Sequence, residues 1–189
     1  MNYVSKAFFA LTIVAISFVQ SCKKDSVSVD FHYDYYDLTE GRFAVYDVLE
    51  IRHDQGATIK HDTSIYQLKT VIGDTIIDNA GRIARKFFRY KRVNSSQEWV
   101  FSDVWTTIIS DNRAELVEEN QRVVKLVFAP TVSKSWDINA FNSFPKLEAY
   151  YRDVHKSTLV NGLSYDSSIV VEQEDFFTLV DYKRKFEVY

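Results

Sequence analysis

The sequence predicts an all-β protein folded as an antiparallel meander, and two observations support this prediction. Aromatic residues are abundant, with 12 Tyr and 14 Phe among 189 residues, whereas Gly and Pro number only 5 and 2. Aromatic and β-branched residues favour half-buried strands. Runs of alternating apolar and polar residues recur about every ten residues between short turns, as in antiparallel sheets. Bulky side chains and few glycines for corners favour a strongly curved sheet or partial barrel over the alternative, a two-layer β-sandwich.

The alternating runs predict nine strands and few or no helices after the N-terminal segment. The strands cover 42–52, 62–72, 83–93, 98–110, 114–118, 122–128, 146–156, 167–173 and 177–189. Turn residues separate several of them, and Asn161-Gly162 is the strongest turn signal because both residues tolerate a positive φ. The run 146–156 also fits a helical period, but adjacent tyrosines within a regular meander favour a strand.

Two stretches outside these strands are harder to assign. Residues 129–145 lose the alternating pattern, which predicts either an irregular loop or a short helical turn. In residues 30–36 the polar Asp30, His32 and Asp34 alternate with aromatic side chains. Such alternation predicts an extended segment with one polar and one aromatic face, docked on the domain.

The N-terminus has the pattern of a lipoprotein signal peptide. Lys6 supplies a positive charge, residues 7–19 form an apolar run too short to span a bilayer, and the small Ser21 precedes Cys22, the single cysteine. We predict a signal peptide over 1–21, a palmitate-type lipid on Cys22, a tether over 22–30 and a single β domain over 31–189. The alternative is an ordinary signal peptide with an incidental cysteine. Lipid on Cys22 would leave no thiol for a disulfide.

This location restricts the partners that we expect. Lipid attachment predicts an outer-membrane protein that is held by its N-terminal lipid and faces either the periplasm or the cell surface. The formal net charge of −3, without long blocks of like charge, gives no electrostatic basis for nucleic-acid binding. The expected partners are therefore the membrane itself, a lipid ligand or another envelope protein.

An aromatic stripe is the first candidate binding feature. Trp99, Phe101 and Trp105 stand at even spacing in the predicted strand 98–110, so they would share one face. Such a stripe fits either plain core or the floor of a cavity for an acyl chain or a sugar ring.

The second candidate binding feature is a basic cluster in the predicted strand 83–93. It comprises Arg85, Lys86, Arg89, Lys91 and Arg92. On an envelope protein such a cluster fits contact with anionic lipid headgroups. The competing interpretation is a solvated strand whose charges discourage edge-to-edge pairing.

The sequence holds no His-Glu-x-x-His motif, cysteine cluster or glycine-rich phosphate loop. Asp30, His32 and Asp34 could present ligands to a divalent ion from one strand face, but a solvated face explains them equally well. Glu172 and Glu174 alternate onto one strand face, as a glycosidase pair might, yet such acids usually face each other across a cleft, so solvated carboxylates are favoured. We therefore expect no catalytic activity, no cofactor and no metal.

Two segments carry a resemblance to a known family. Residues 35–46 (YYDLTEGRFAVY) and 135–142 (SWDINAFN) resemble signatures of an uncharacterised family of outer-membrane lipoproteins from Bacteroidetes. The sequence departs from that pattern at Asp37, Ala44 and Ile138, where the family has Pro, Trp and Gly. The resemblance implies an envelope location and supplies no activity.

The same resemblance has two further implications. The family pattern continues past Tyr189, so the domain could lack a closing strand and present an exposed sheet edge. The triplet Asp25-Ser26-Val27 is similar to the O-glycosylation motif of such bacteria, which makes Ser26 a candidate modification site. Together with the composition, these features lead us to expect a non-catalytic envelope lipoprotein that binds an apolar ligand or an envelope component. A structural or partner-binding subunit is the first alternative, and a glycan hydrolase the second.

Overall fold

The alternating runs form strands in the part of the chain that the structure describes. The structure is a computed structural model that describes residues 28–53, 56, 58, 61–177 and 182–189. Of residues 53, 61, 174–177 and 182–184 it describes the backbone and not the side chains. The predicted signal peptide, Cys22 and Ser26 lie outside these residues. Within them the helical content is one 3-10 turn, so no helix there is long and apolar enough to cross a membrane.

The first six strands form one antiparallel sheet, sheet A. They are β1 (Phe43–His53), β2 (His61–Ile77), β3 (Ile83–Arg92), β4 (Val100–Ser110), β5 (Arg113–Glu118) and β6 (Gln121–Val127). Each strand pairs with the next along the chain, and the sheet curls strongly into a half-barrel. This confirms the predicted meander and its curved, partial-barrel form.

The tight turns of sheet A follow from their residues. The two-residue loops Asp111-Asn112 and Glu119-Asn120 both have positive φ values, at 48° and 60° and at 45° and 63°. These are type I′ turns, whose twist matches that of the strands they join. In the β2–β3 turn the Asp78 carboxylate accepts two backbone N–H bonds at 2.9 Å and pairs with Arg82.

A second antiparallel sheet, sheet B, follows. It comprises β7 (Ser135–Asp137), β8 (Glu148–Val160), β9 (Leu163–Phe177) and β10 (Tyr182–Val188), again in chain order. The strand prediction for 146–156 is confirmed, and Asn161-Gly162 forms the expected β8–β9 turn, with φ values of 49° and 78°. The short β7 lies in the stretch predicted to be irregular, and its three residues pair with β8.

The main buried core lies where sheet B packs on the β5–β6 end of sheet A. Sheet A contributes Ala114 and Leu126, and Phe128 follows directly after β6. Ile138, which follows β7, and four residues of sheet B complete the core: Ala149, Tyr151, Ile169 and Val171. Tyr151 joins the sheets directly, because its hydroxyl donates to the Val127 carbonyl at 2.8 Å and accepts from the Val127 N–H at 3.1 Å. Burial raises the pKa of Tyr151 to about 12, although its backbone hydrogen bond opposes this shift.

Residues 31–36, which we call the strap, cross the junction of the two sheets. The prediction of an extended strap with Asp30, His32 and Asp34 on one face is wrong, because His32 has φ 55° and a 3-10 turn follows at Tyr33–Tyr36. The strap is held by side chains and backbone together. Ala129 N donates to the Phe31 carbonyl at 3.0 Å, and Tyr33 Oη donates to Asn112 Oδ1 at 2.7 Å.

Candidate ligand-binding groove

A groove of about 1030 Å³ lies along the concave face of the half-barrel. It exists because sheet A curls through six strands, whereas within sheet A the main core cluster draws only on β5, β6 and the residue after β6. The concave side of β1 to β4 therefore stays open. Its apolar wall includes Tyr46, Leu68, Ile72, Phe87, Trp105 and Leu116.

Strand register aligns this wall. Residues directly opposite in antiparallel strands share a face, and Ile72 pairs with Phe87, which pairs with Trp105. The Phe87 and Trp105 rings are nearly parallel, at 13° with centroids 6.3 Å apart. In the same way Tyr46 pairs with Leu68 on the neighbouring strands. The groove thus has a continuous aromatic and aliphatic side.

The opposite side of the groove is polar and is built by an ion pair. Lys125 is the extra residue of a β-bulge in β6, since Ala114 pairs with Leu126 while Glu115 pairs with Val124. Bulges redirect side chains, and here Lys125 Nζ donates to Glu187 Oε1 of β10 at 2.8 Å. The hydroxyl of Tyr189 donates to the other carboxylate oxygen of Glu187.

The electrostatics of this triad follow from burial and charge. Burial alone raises the pKa of Glu187, but the Lys125 ammonium, the Tyr189 hydroxyl and Lys185 together bring that pKa below its ordinary value. Glu187 is therefore an anion at neutral pH. Burial, reinforced by the adjacent Glu187 charge, raises the pKa of Tyr189 well above its ordinary value. Tyr189 thus stays a neutral hydrogen-bond donor.

Tyr36 of the strap completes the floor. Its hydroxyl lies 2.9 Å from Thr107 Oγ1, and Thr107 Oγ1 lies 3.0 Å from the Glu115 carbonyl, which can only accept. Thr107 has one hydroxyl proton, so it donates to Glu115 and accepts from Tyr36. Burial raises the pKa of Tyr36, which keeps this donor protonated.

Three cations of the groove are already paired with carboxylates. Besides Lys125, Arg42 donates to Asp37 at 2.7 Å and Arg89 donates to Asp103 at 3.1 Å. Arg89 also lies over the Trp105 ring, 3.8 Å from its centroid. A fourth cation of the lining, Lys185, lies near the Glu187 carboxylate. The groove therefore offers a ligand both apolar surface and polar groups. Ligand sites typically combine a mostly apolar lining with a few convergent polar groups.

The three predicted aromatics are divided between the two faces of sheet A. Trp105 lines the groove, but the register shift between Arg89 and Tyr90 makes Phe101, not Ser102, the neighbour of Tyr90. Phe101 thus lies on the convex face, edge-on to Tyr90 with centroids 5.8 Å apart. Trp99 stacks beneath the Arg92 guanidinium at 4.2 Å. The prediction that all three share one face is wrong, because a bulge at Ser102 interrupts the alternation.

The basic cluster is also divided. Strand alternation places Arg85, Arg89 and Lys91 on the face opposite to Lys86 and Arg92. Carboxylates pair with three of them, since Arg85 contacts Glu40 at 3.1 Å, Lys86 contacts Asp74 at 2.9 Å and Arg89 contacts Asp103. The five residues do not form one basic surface.

The carboxylates considered for catalysis and metal binding lie apart. Glu172 is buried and accepts from Arg152 at 3.1 Å, so its prediction as a solvated group is wrong, and the Glu174 side chain lies outside the described part. Among the side chains that the structure describes, no three or more His, Cys, Asp or Glu residues gather as metal ligands.

The floor of the groove had no signal in the sequence. The floor residues come from separate places in the chain: Tyr36 from the strap, Lys125 from a bulge, Glu187 from the last strand and Tyr189 from the residue after it. Tyr36 lies in the 35–46 signature, but that signature supplied no role for it, and the other three belong to no motif. The predicted stripe pointed to this face through Trp105, and the predicted basic cluster pointed to it through Arg89. Comparison with protein-family models, with curated proteins and with solved structures finds no match to this chain.

Proposed function

We propose that this protein is a non-catalytic envelope lipoprotein that binds an apolar or amphiphilic ligand in the concave groove. The observation that carries the proposal is the groove itself. Its volume of about 1030 Å³ lies at the upper end of the range for small-molecule sites, about 300–1,000 Å³. A single acyl chain or a compact amphiphile fits such a space.

The chemistry of the lining supports this ligand class. The aromatic wall of Phe87 and Trp105 offers apolar surface, and the hydroxyl oxygens of Tyr36 and Tyr189 can accept hydrogen bonds, although their protons are used within the floor. Because Arg42, Arg89 and Lys125 have carboxylate partners and Lys185 lies near Glu187, a ligand with little net charge suits the site better than a polyanion.

The location in this proposal rests on the sequence. The apolar run at 7–19 followed by Ser21-Cys22 supports lipid attachment at Cys22 and therefore an outer-membrane location. Growth with a labelled fatty acid tests this directly. Label should enter the natural chain and be absent from the Cys22→Ser variant, whereas equal labelling would contradict lipidation.

The ligand itself is tested by lipid extraction and mass spectrometry of protein purified from its own envelope. Ala44 lines the groove, so Ala44→Trp should fill it and abolish co-purification of the ligand. Val104→Trp is the matched control, because Val104 lies on the convex face of the same sheet and is 48% exposed. Ligand-free natural protein, or equal ligand content in both variants, would contradict the proposal.

A second candidate function, partner binding within an envelope complex, is favoured by the convex face. There the register aligns Phe43 with Val71, Phe88 and Val104, and Phe43 is 65% exposed. Large exposed apolar surfaces commonly mark interaction sites. Cross-linking in solubilised envelope distinguishes the two functions, because Val104→Trp should reduce a partner adduct and Ala44→Trp should not.

A further inference from the structure

Two of the four histidines of the chain meet at the strap. The His32 and His155 rings lie with centroids 4.4 Å apart, inclined at 56°. His32 belongs to the strap and His155 to β8, so 122 residues separate them in the sequence. Neither residue belongs to a recognisable metal-binding spacing, and only the fold brings them together.

Both histidines have an unusual backbone conformation. Each has φ 55°, in the left-handed region that residues other than glycine rarely adopt. His155 lies where the β8–β9 register shifts between Asp153 and Lys156. Strained residues persist where the surrounding structure holds them, and they concentrate at functional sites. Here two strained residues from separate segments direct the same type of side chain to one place.

Tyr35 supports one of the rings. Its hydroxyl lies 2.7 Å from His155 Nδ1 and 2.6 Å from Ser167 Oγ. If Nδ1–H donates to Tyr35 and Tyr35 donates to Ser167, the lone pair of His155 is on Nε2. Histidines that bind metals are typically held in this way by a partner on the other ring nitrogen.

We propose that His32 and His155 bind one divalent transition-metal ion of the zinc type, with water molecules completing its coordination. Imidazole nitrogen suits Zn²⁺, Ni²⁺ and Cu²⁺, and zinc takes nitrogen ligands at about 2.0–2.1 Å. The ion bridges the strap and sheet B. It thereby holds the strap, whose Tyr36 forms part of the groove floor, without entering the groove. This inference does not depend on the proposed ligand.

The test is isothermal titration of the full chain with ZnCl₂ in detergent, with Cys22→Ser in every sample so that the thiol does not bind zinc. His32→Asn with His155→Asn is the test variant, because asparagine tolerates the left-handed conformation and lacks the imidazole. His53→Asn with His61→Asn is the matched control, because these two residues pair across β1 and β2. Tyr35→Phe tests the supporting role.

We expect one zinc ion per chain, binding at least tenfold weaker in the test variant and unchanged in the control. Tyr35→Phe should weaken binding about tenfold, as for other residues that orient a metal-binding histidine. Unchanged binding in the test variant, or loss of binding in the control, overturns the proposal. Histidine-ring NMR of the Cys22→Ser chain with its histidines intact gives a reading that does not depend on how the variants fold. Zinc should shift the His32 and His155 signals. A shift of the His53 and His61 signals alone would also overturn the proposal.

Discussion

The ion pair at the groove floor leads to a prediction about stability and pH. Lys125→Met keeps the apolar stem of the side chain and removes the ammonium that lies 2.8 Å from the Glu187 carboxylate. The side chains of Lys125 and Glu187 are only 17% and 27% exposed. The change therefore leaves a largely buried carboxylate without its principal cation, although Tyr189 and Lys185 remain near it.

The expected loss at pH 7 is about 2 kcal/mol. Removing one partner of a fully buried pair costs about 3–5 kcal/mol, and partial exposure reduces this figure. For a domain of this length about 1 kcal/mol lowers the Tm by about 2–4 °C, so we expect a decrease of about 4–8 °C. Lys146→Met is the matched control. Lys146 pairs with Glu148, but these side chains are 66% and 56% exposed, so the expected change is within about 0.5 kcal/mol.

The dependence on pH should reverse in sign. In the natural protein the pKa of Glu187 lies below its ordinary value of 4.5, so this group stabilises the fold above that pH and the contribution is lost as the pH falls through the lowered pKa. In Lys125→Met burial is the dominant influence and raises the pKa. The folded state then holds the proton more tightly than the unfolded state, and stability falls as the pH rises from about 4.5 through the raised pKa.

Thermal unfolding followed by circular dichroism from pH 3 to pH 8 measures both effects. The result that would refute this reasoning is a Lys125→Met protein as stable as Lys146→Met at pH 7. The contribution of Glu187 in Lys125→Met is the difference in stability between Lys125→Met and Lys125→Met/Glu187→Gln. If this difference still increased with pH, the reasoning would be refuted as well.

Three further predictions are measured by urea unfolding. Glu115 is 1% exposed and is surrounded by three arginines, so Glu115→Gln should cost about 3 kcal/mol. Asp111→Asn changes an exposed pair and should cost under about 0.5 kcal/mol, and equal losses in the two variants would contradict this. Gly73→Ala places a Cβ 2.3 Å from Phe88 Cε2 and should cost about 2 kcal/mol, and a neutral effect would show that the ring moves freely. Tyr36→Phe removes a partly buried hydrogen bond and should cost about 1 kcal/mol, and an unchanged free energy of unfolding would contradict this.

The sequence predicts the strands well because alternation is a local property. The run 146–156, which also fits a helical period, forms part of β8, and the Asn161-Gly162 turn joins it to β9 as expected. β7 could not be predicted, because its three residues are strand only through pairing with β8. The scarcity of glycine and the bulk of the aromatic side chains correctly predicted that sheet A curls strongly.

The candidate site was harder to predict, because its features depend on pairing rather than on local pattern. The register shift beside Arg89 changes which face Phe101 occupies, and no residue there marks a bulge. The left-handed His32 ends the extended pattern of the strap, a conformation that polar and aromatic alternation does not predict. Tyr36 and Tyr189 form one floor although they come from opposite ends of the domain.

The strap also determines how the domain would respond to mechanical load. If the protein is tethered through Cys22 as proposed, tension from the membrane reaches residues 31–36 before it reaches any strand. The side-chain bonds of Tyr33, Tyr35 and Tyr36 would then break in succession, and their rupture would release about 20 Å of chain for six residues. Optical-trap pulling from residue 22 should show this short early extension, and a single cooperative rupture would argue against it. The strap would thus unfold first under load, while the sheets and the groove remain folded.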